Sequence, residues 1–273
     1  MSFKICIAGK NDIAINSIKF LLKNNIFNKK DICVIINSSS NNKFGFSLKD
    51  FVKKEKITIV NIEQIYNIKD LIFVSLEYDK IIDINKFVSD RLFNIHFSKL
   101  PAYKGMYTSC LPILNGETTT GVTLHKIDSG IDTGDIIKQK VFKININDTA
   151  RDLYLKYLKK GFILFKENIE NIINNDFFTY KQHIEKSSYY SRKAIDFKNI
   201  KIDLNRTSFQ IHNQLRAFIF KEYQLPKIKN IFVTKTIITD NFIGYNKFIE
   251  KKDKFIISGT DGYEILVYKL LNI

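Results

Sequence analysis

Residues 32–36 read Ile-Cys-Val-Ile-Ile, an unbroken apolar run. A strand with no polar alternate has no face to give to water, so it must be covered on both sides. Related runs recur at Phe3–Ala8, Ile57–Val60, Leu71–Val74 and Leu92–Ile95. Between the first two, Ile13–Leu22 carries apolar residues at helical spacing, and Ser47–Lys54 reads as a short helix. Strands covered on both faces and separated by helices predict an α/β domain with a mostly parallel sheet.

The second half starts with one long helix. Leu153, Tyr157, Leu158, Phe162, Phe165 and Ile169 recur three and four apart within Thr149–Asn174. Thr149 reads as its N-cap, with Asp152 three residues on as the reciprocal carboxylate. Beyond about residue 185 the pattern changes. Ser208–Phe220 reads as a helix, followed by strand-like runs at Ile231–Thr234, Phe242–Tyr245, Phe255–Ser258 and Tyr263–Tyr268. Asp261-Gly262 is a hairpin turn signal. The expected division is residues 1–185 as the main domain and 186–273 as a small unit of one helix and antiparallel strands. A chain of 273 residues buries roughly 75% of its unfolded surface, so the core needs no staples.

The net charge of +15 is compatible with an anionic partner. The lysines are scattered among asparagines and isoleucines, and pairs such as Lys53-Lys54 and Lys251-Lys252 read as solvated surface. A nucleic-acid binder would gather its lysines and aromatics on one face, so the charge permits an anionic substrate without selecting nucleic acid. Cys6, Cys33 and Cys110 lack both disulfide and zinc spacing, and Cys6 and Cys33 read as core residues. No apolar run approaches the roughly 18 residues of a membrane span, so no insertion is expected. Phe3–Ala8 is too short for a signal peptide, which makes the cytoplasm the expected compartment.

Two segments carry chemistry. In Asn94-Ile95-His96-Phe97-Ser98-Lys99-Leu100-Pro101-Ala102-Tyr103-Lys104-Gly105, Asn94 and His96 stand two apart on a strand and project from one face. They lie at its carboxyl end, where open α/β sheets bind ligands. The second segment, Asp128-Ser129-Gly130-Ile131-Asp132-Thr133-Gly134-Asp135, is a tight acidic loop. A calcium loop of the EF-hand type would want Glu at the position that here is Gln139, and no metal is expected. Together the two segments supply Asn, His and Asp, a set suited to acyl transfer onto an amine. An amide such as that of Asn94 donates to a developing oxyanion. An imidazole moves protons near neutral pH, and a carboxylate such as Asp132 fixes its tautomer. Neither Cys110 nor Ser98 is needed as a nucleophile. By itself His96 reads equally well as a structural histidine, and His125, His183 and His212 have weaker settings.

The pair of motifs, Asn94-x-His96-x-Ser98-x-Leu100-Pro101 and Asp128-x-Gly130-x-Asp132-x-Gly134, resembles the signature of the folate-dependent formyltransferases. The resemblance implies a Rossmann-like catalytic domain and a catalytic set at Asn94, His96 and Asp132. It implies 10-formyltetrahydrofolate as co-substrate, near Ser98, Leu100, Pro101 and Asp128. The stretches 9–14, 75–80, 103–109, 210–218 and 223–226 are similar to sugar N-formyltransferases, which act on dTDP-linked amino sugars of bacterial surface polysaccharides such as O-antigen. The acceptor this favours is dTDP-4-amino-4,6-dideoxyglucose. A 3-amino sugar nucleotide, initiator methionyl-tRNA and a non-catalytic nucleotide-sugar-binding role stand as alternatives. Similar enzymes are commonly homodimers.

The turn Gly9-Lys10-Asn11 opens the first helix, where backbone donors and the helix dipole favour an anion. It matches neither a P-loop nor the G-x-G-x-x-G fingerprint, which argues against a nicotinamide enzyme. Lys80, Lys104 and Arg216 are the candidate cations for a pyrophosphate. Tyr103, Tyr107, Phe220 and Tyr223 are candidates to stack on thymine or close over the sugar. Ser75 and Glu77 complete the expected substrate set, Glu77 through a sugar hydroxyl.

Overall fold

The computed structural model describes residues 3–38 and 45–271. In chain order the elements are β1 (Ile5–Gly9), α1 (Asn11–Lys23), β2 (Ile32–Ile36), α2 (Leu48–Glu55), β3 (Thr58–Ile59), β4 (Ile72–Leu76), β5 (Leu92–His96), β6 (Lys104–Gly105) and α3 (Leu111–Leu114). There follow β7 (Thr119–Lys126), β8 (Ile136–Lys143), α4 (Ala150–Asn174), β9 (Tyr189–Tyr190) and α5 (Ser208–Phe218). The chain closes with β10 (Lys227–Ile228), β11 (Ile231–Phe242), β12 (Phe248–Glu250), β13 (Lys254–Ser258) and β14 (Tyr263–Lys269). Among the described residues no helix is long and apolar enough to cross a membrane.

Two compact units share these elements, and both are discontinuous in sequence. The first takes the chain up to Gly105 with Gly121–Val141 and Tyr157–Tyr189; the second takes Met106–Thr120, Phe142–Lys156 and the chain from Tyr190 on. The sequence predicts a single cut at residue 185, whereas the last crossing between the units lies between Tyr189 and Tyr190. Residues 106–120 and 142–156 also leave the first unit, which hydrophobic periodicity cannot reveal because it reports a buried face and not which core buries it.

In the first unit the sheet order is β3-β2-β1-β4-β5-β7-β8. β1 lies parallel to β2 and β4, with Ile7 between Val34 and Val74, and β5 is parallel to β4. β7 then returns antiparallel beside β5. The apolar run of β2 is buried from Ile32 to Ile35, as a strand covered on both faces requires. The strand order reverses between β1 and β4, and in open α/β sheets the crevice beyond the carboxyl ends at such a reversal takes the ligand. Those ends are Gly9 and Leu76. A Cβ on Gly9 would sit 1.9 Å from the Leu76 carbonyl oxygen, so only glycine permits this approach. The α4 pattern holds: Leu153, Tyr157, Phe165 and Ile169 are buried, and Phe97 stacks on Tyr157 at 5.3 Å between ring centroids. Thr149 and Asp152 bond reciprocally at the start of α4.

The second unit carries an antiparallel sheet in the order β10-β11-β14-β13-β12. Ile211, Leu215 and Ile219 share a core with Val233, Phe255, Ile257, Ile265 and Val267. The expected strand over Phe242–Tyr245 is absent. Instead β11 runs on to Phe242, and Gly244, at φ +96°, turns the chain toward β12. The Asp261-Gly262 turn stands between β13 and β14, with Gly262 at φ +80°. His212 and Arg216 are buried on α5. His212 Nε2 lies 2.8 Å from the Ile146 carbonyl and Nδ1 lies 3.1 Å from Thr236 Oγ1. Burial pushes the His212 ring down to about 4.

Candidate active site

β5 supplies the first two site residues by simple alternation. Asn94 and His96 share a face, and across the antiparallel pairing Asn94 stands opposite His125 while His96 stands opposite Thr123. Asp132 arrives from the loop after β7. It holds a left-handed φ of +54°, a conformation that costs a non-glycine residue energy and often marks a functional position. Gly134 makes the loop possible, because a Cβ there would lie 1.9 Å from the Lys126 carbonyl oxygen. The Asp128 carboxylate accepts hydrogen bonds from the Gly130 N–H at 3.1 Å and the Thr133 hydroxyl at 2.6 Å. The Gln182 amide donates to the carbonyls of Asp132 and Gly134 at 2.9 and 2.8 Å.

Asp132 is the hub. One carboxylate oxygen accepts the Gly105 N–H at 2.9 Å and lies 3.5 Å from His96 Nδ1. The other accepts the Asn94 amide N–H at 3.1 Å and lies 3.6 Å from His125 Nε2. Burial by itself raises a carboxyl pKa; here the neighbouring His96 ring, then the His125 ring and the Gly105 N–H, outweigh it and hold Asp132 well below the usual range. His96 Nε2 lies 2.8 Å from the Tyr103 carbonyl, so this nitrogen carries a hydrogen. Asn94, His96 and Asp132 therefore meet in one cluster, each held by a partner from another segment.

His125 joins them, although in the sequence its setting looks weak. It is 2% exposed; Nδ1 lies 2.7 Å from the Lys126 carbonyl and Nε2 lies 3.1 Å from the Asn94 amide nitrogen. Its period-2 alternation with Thr123 is visible in the sequence, but its polar surroundings depend on β7 pairing beside β5. Gln182, more than fifty residues from Asn94, left no comparable trace.

The expected folate residues divide. Ser98 is fully buried, with its hydroxyl donating to the Ala102 carbonyl at 2.7 Å, and Leu100 is 2% exposed with its N–H bonded to Thr123 Oγ1. These two side chains shape the turn beneath the site and present no surface to a ligand, a correction to the expected contact. Pro101 and Asp128 are partly exposed.

Of the expected substrate residues, the first unit places Gly9, Lys10 and Asn11 at the carboxyl end of β1, and Ser75 and Glu77 at that of β4. No side chain caps the α1 N-terminus. Lys10 Nζ lies 3.9 Å from a Glu77 carboxylate oxygen, and the Asn37 amide donates to the Glu77 carbonyl at 2.8 Å. Lys80 is exposed, whereas Tyr103 and Lys104 are buried. Tyr107, Arg216, Phe220 and Tyr223 belong to the second unit. There the Tyr107 hydroxyl donates to the Arg192 carbonyl at 2.9 Å. Phe220 packs edge-on against Tyr223, which is exposed. Arg216 is not an available cation: it is 2% exposed, and its guanidinium donates to Asn145 O, Asp148 O and Asn213 Oδ1 at 2.9 to 3.0 Å. Its charge organises the 145–148 turn and replaces the expected pyrophosphate contact. Among the described residues no three His, Cys, Asp or Glu side chains cluster as metal ligands.

Residues 26–169 match the family model described as formyl transferase. The fold superposes on the crystal structure of WlaRD, a sugar 3N-formyl transferase solved with dTDP and 5-N-formyl-THF, with a TM-score of 0.97, 55% identity and full coverage of both chains. It superposes on the N-formyltransferase from Helicobacter canadensis, in complex with folinic acid and dTDP-3-aminofucose, with a TM-score of 0.95 and 51% identity over 98% of this chain and 100% of that one. The methionyl-tRNA formyltransferase of Endomicrobium trichonymphae is 31% identical over 81% of this chain and 74% of its own length. The bifunctional polymyxin resistance protein ArnA of Wigglesworthia glossinidia brevipalpis is 33% identical over 64% of this chain, a match that spans 28% of that longer protein.

Proposed function

The chain belongs to the formyl transferase family, and from that premise we propose that it transfers a formyl group from 10-formyltetrahydrofolate to the amino group of a dTDP-linked 3-amino-dideoxy sugar. The observation that carries this reading is the single cluster of Asn94, His96 and Asp132 at the carboxyl end of β5. The sequence favoured a 4-amino sugar. The 3-amino position replaces it because the two structures that match at 51–55% identity over essentially the whole chain are a sugar 3N-formyl transferase and an enzyme holding dTDP-3-aminofucose. The 4-N formyltransferase from Francisella tularensis shares 21% identity, a likeness of fold alone. The same contrast favours a sugar over initiator tRNA, since the methionyl-tRNA formyltransferase match reaches 31%.

The donor set fits a formyl group, which needs hydrogen-bond donors for its oxygen and a route for one proton. The reduced folate supplies the formyl carbon, and its departing nitrogen takes up a proton as the carbon leaves. Asn94 offers an amide N–H to the oxygen, where negative charge develops as the sugar amine attacks. In this structure both amide hydrogens have acceptors, Asp132 and His125. A charged oxygen competes for one of them because charge-assisted hydrogen bonds are roughly twice as strong as neutral ones. His96 gives a proton to the departing nitrogen and recovers one from the attacking amine, and Asp132 holds its ring and balances its charge. Gly9, Lys10 and Asn11 at the α1 N-terminus, with exposed Lys80, offer the charge and backbone donors that suit a nucleotide pyrophosphate. Pro101 and Asp128 remain the proposed folate contacts. The product would be an activated N-formyl sugar donor of the kind surface polysaccharide synthesis consumes.

The test is incubation with 10-formyltetrahydrofolate and a panel of dTDP-3-amino and dTDP-4-amino sugars, followed by mass spectrometry. The 3-amino compounds gain one formyl group fastest. A faster gain by the 4-amino compounds overturns the acceptor assignment, and no gain by any sugar overturns the reading itself.

A further inference from the structure

We propose that His125 is a positioning residue: as a neutral imidazole with its hydrogen on Nδ1, it fixes which end of the Asn94 carboxamide faces Asp132. The inference rests on the formyl-transfer reading for its kinetic consequence but on geometry alone for its structural content.

Three polar contacts define the setting of His125. His125 Nδ1 lies 2.7 Å from the Lys126 carbonyl, an acceptor with no hydrogen to give, so Nδ1 carries the hydrogen. The atom of Asn94 that lies 3.1 Å from the Asp132 carboxylate must be the amide nitrogen, because an oxygen there would face like charge. That nitrogen also lies 3.1 Å from His125 Nε2, and a nitrogen donor requires a lone pair opposite it. A neutral, Nδ1-protonated His125 satisfies all of these demands. A ring protonated on Nε2 would turn a hydrogen toward the Asn94 N–H. Asp132, Asn94 and the Lys126 carbonyl all face the ring, which is 2% exposed. Without His125, one hydrogen bond to Asp132 holds the carboxamide, and the group is free to turn about it. Misplacement on this scale costs catalysis about 10- to 100-fold.

The test uses the full chain with its histidines labelled with 15N. Nitrogen NMR at pH 8 should show His125 as the Nδ1–H tautomer, and Asn94→Ala should move the Nε2 resonance by removing its donor. A doubly protonated ring, an Nε2–H tautomer or an unmoved Nε2 resonance overturns the proposal, whichever acceptor the enzyme uses. In the formyl-transfer assay, His125→Leu should lower kcat about 10- to 100-fold while KM for the dTDP-sugar and the dTDP Kd hold. His125→Gln, whose amide oxygen replaces the Nε2 acceptor, should stay within a few-fold of wild type. A His125→Leu enzyme with unchanged kcat, or a folded His125→Gln enzyme as impaired as His125→Leu, also overturns it. If wild type formylates no amino sugar, the functional reading falls and the NMR result still decides the tautomer.

Discussion

Asp132 and Gly105 are joined by a 2.9 Å hydrogen bond from the Gly105 N–H to the carboxylate, which ties the acidic loop to β6. The same carboxylate oxygen lies 3.5 Å from His96 Nδ1. Because the folded pKa of Asp132 is depressed, its ionised form stabilises the fold at every pH above the ordinary carboxylate value. That stability is lost only as pH falls through the lower folded value. Asp132→Asn should therefore unfold at lower urea than wild type at pH 7, and the gap should narrow as the medium is acidified. A gap that is constant from pH 7 to strong acid would show that the charge contributes nothing.

Asn94→Ala removes the amide from the reacting centre. Loss of one oxyanion donor typically raises the barrier by about 3 kcal/mol, or roughly two orders of magnitude in kcat. Steady-state kinetics at saturating dTDP-sugar checks this, with dTDP affinity as the control for folding. Turnover within a few-fold of wild type would remove Asn94 from the chemistry.

The strands of the first unit, the long helix and the shared face of Asn94 and His96 were legible in the sequence from local signals: an unbroken apolar run, a 3.6 period, a polar pair two apart. That Asp132 joins the pair was implied by the resemblance of the two motifs to a known family, not by spacing. His125 was not legible, because its partners come from β5 and from the acidic loop, and only the β5–β7 pairing brings them together. Arg216 misled for a related reason. Arginine in a functional-looking helix reads as an open cation, but the carbonyls that occupy it lie some seventy residues away. Ser98 and Leu100 misled because a motif residue can shape a turn as readily as touch a ligand.

Cys110 should be inert. Burial pushes its thiol up to about 12, so almost no thiolate exists at pH 8. Iodoacetamide should leave Cys110 unlabelled in the native protein, read by peptide mass spectrometry. Rapid labelling would reopen it as a nucleophile.

Gly134→Ala sets a methyl group against the Lys126 carbonyl oxygen at 1.9 Å, so the loop must move and carry Asp132 with it. The expected cost is about 2 kcal/mol or more of stability, together with loss of formyl transfer. Glycine at 130 meets the Thr133 hydroxyl instead, a side chain on the same loop. Gly130→Ala should thus be the milder change. Equal activity and equal melting temperature for Gly134→Ala and wild type would mean that the close approach does not constrain the loop.

His212 gives the second unit an acid weakness of its own. Its folded pKa is about 4, lowered chiefly by burial and then by the neighbouring Arg216 charge, against an ordinary value of 6.5. Between those two values the unfolded chain binds a proton that the folded chain refuses, so stability falls as pH drops through 6.5 and levels off below 4. In His212→Gln the amide can still meet the Ile146 carbonyl, but no group there titrates. Wild type should be the more stable at pH 8, and its advantage should shrink steadily as the pH is lowered to 5, read as the difference in urea midpoints. An advantage that stays flat across that range would place the acid sensitivity elsewhere in the molecule.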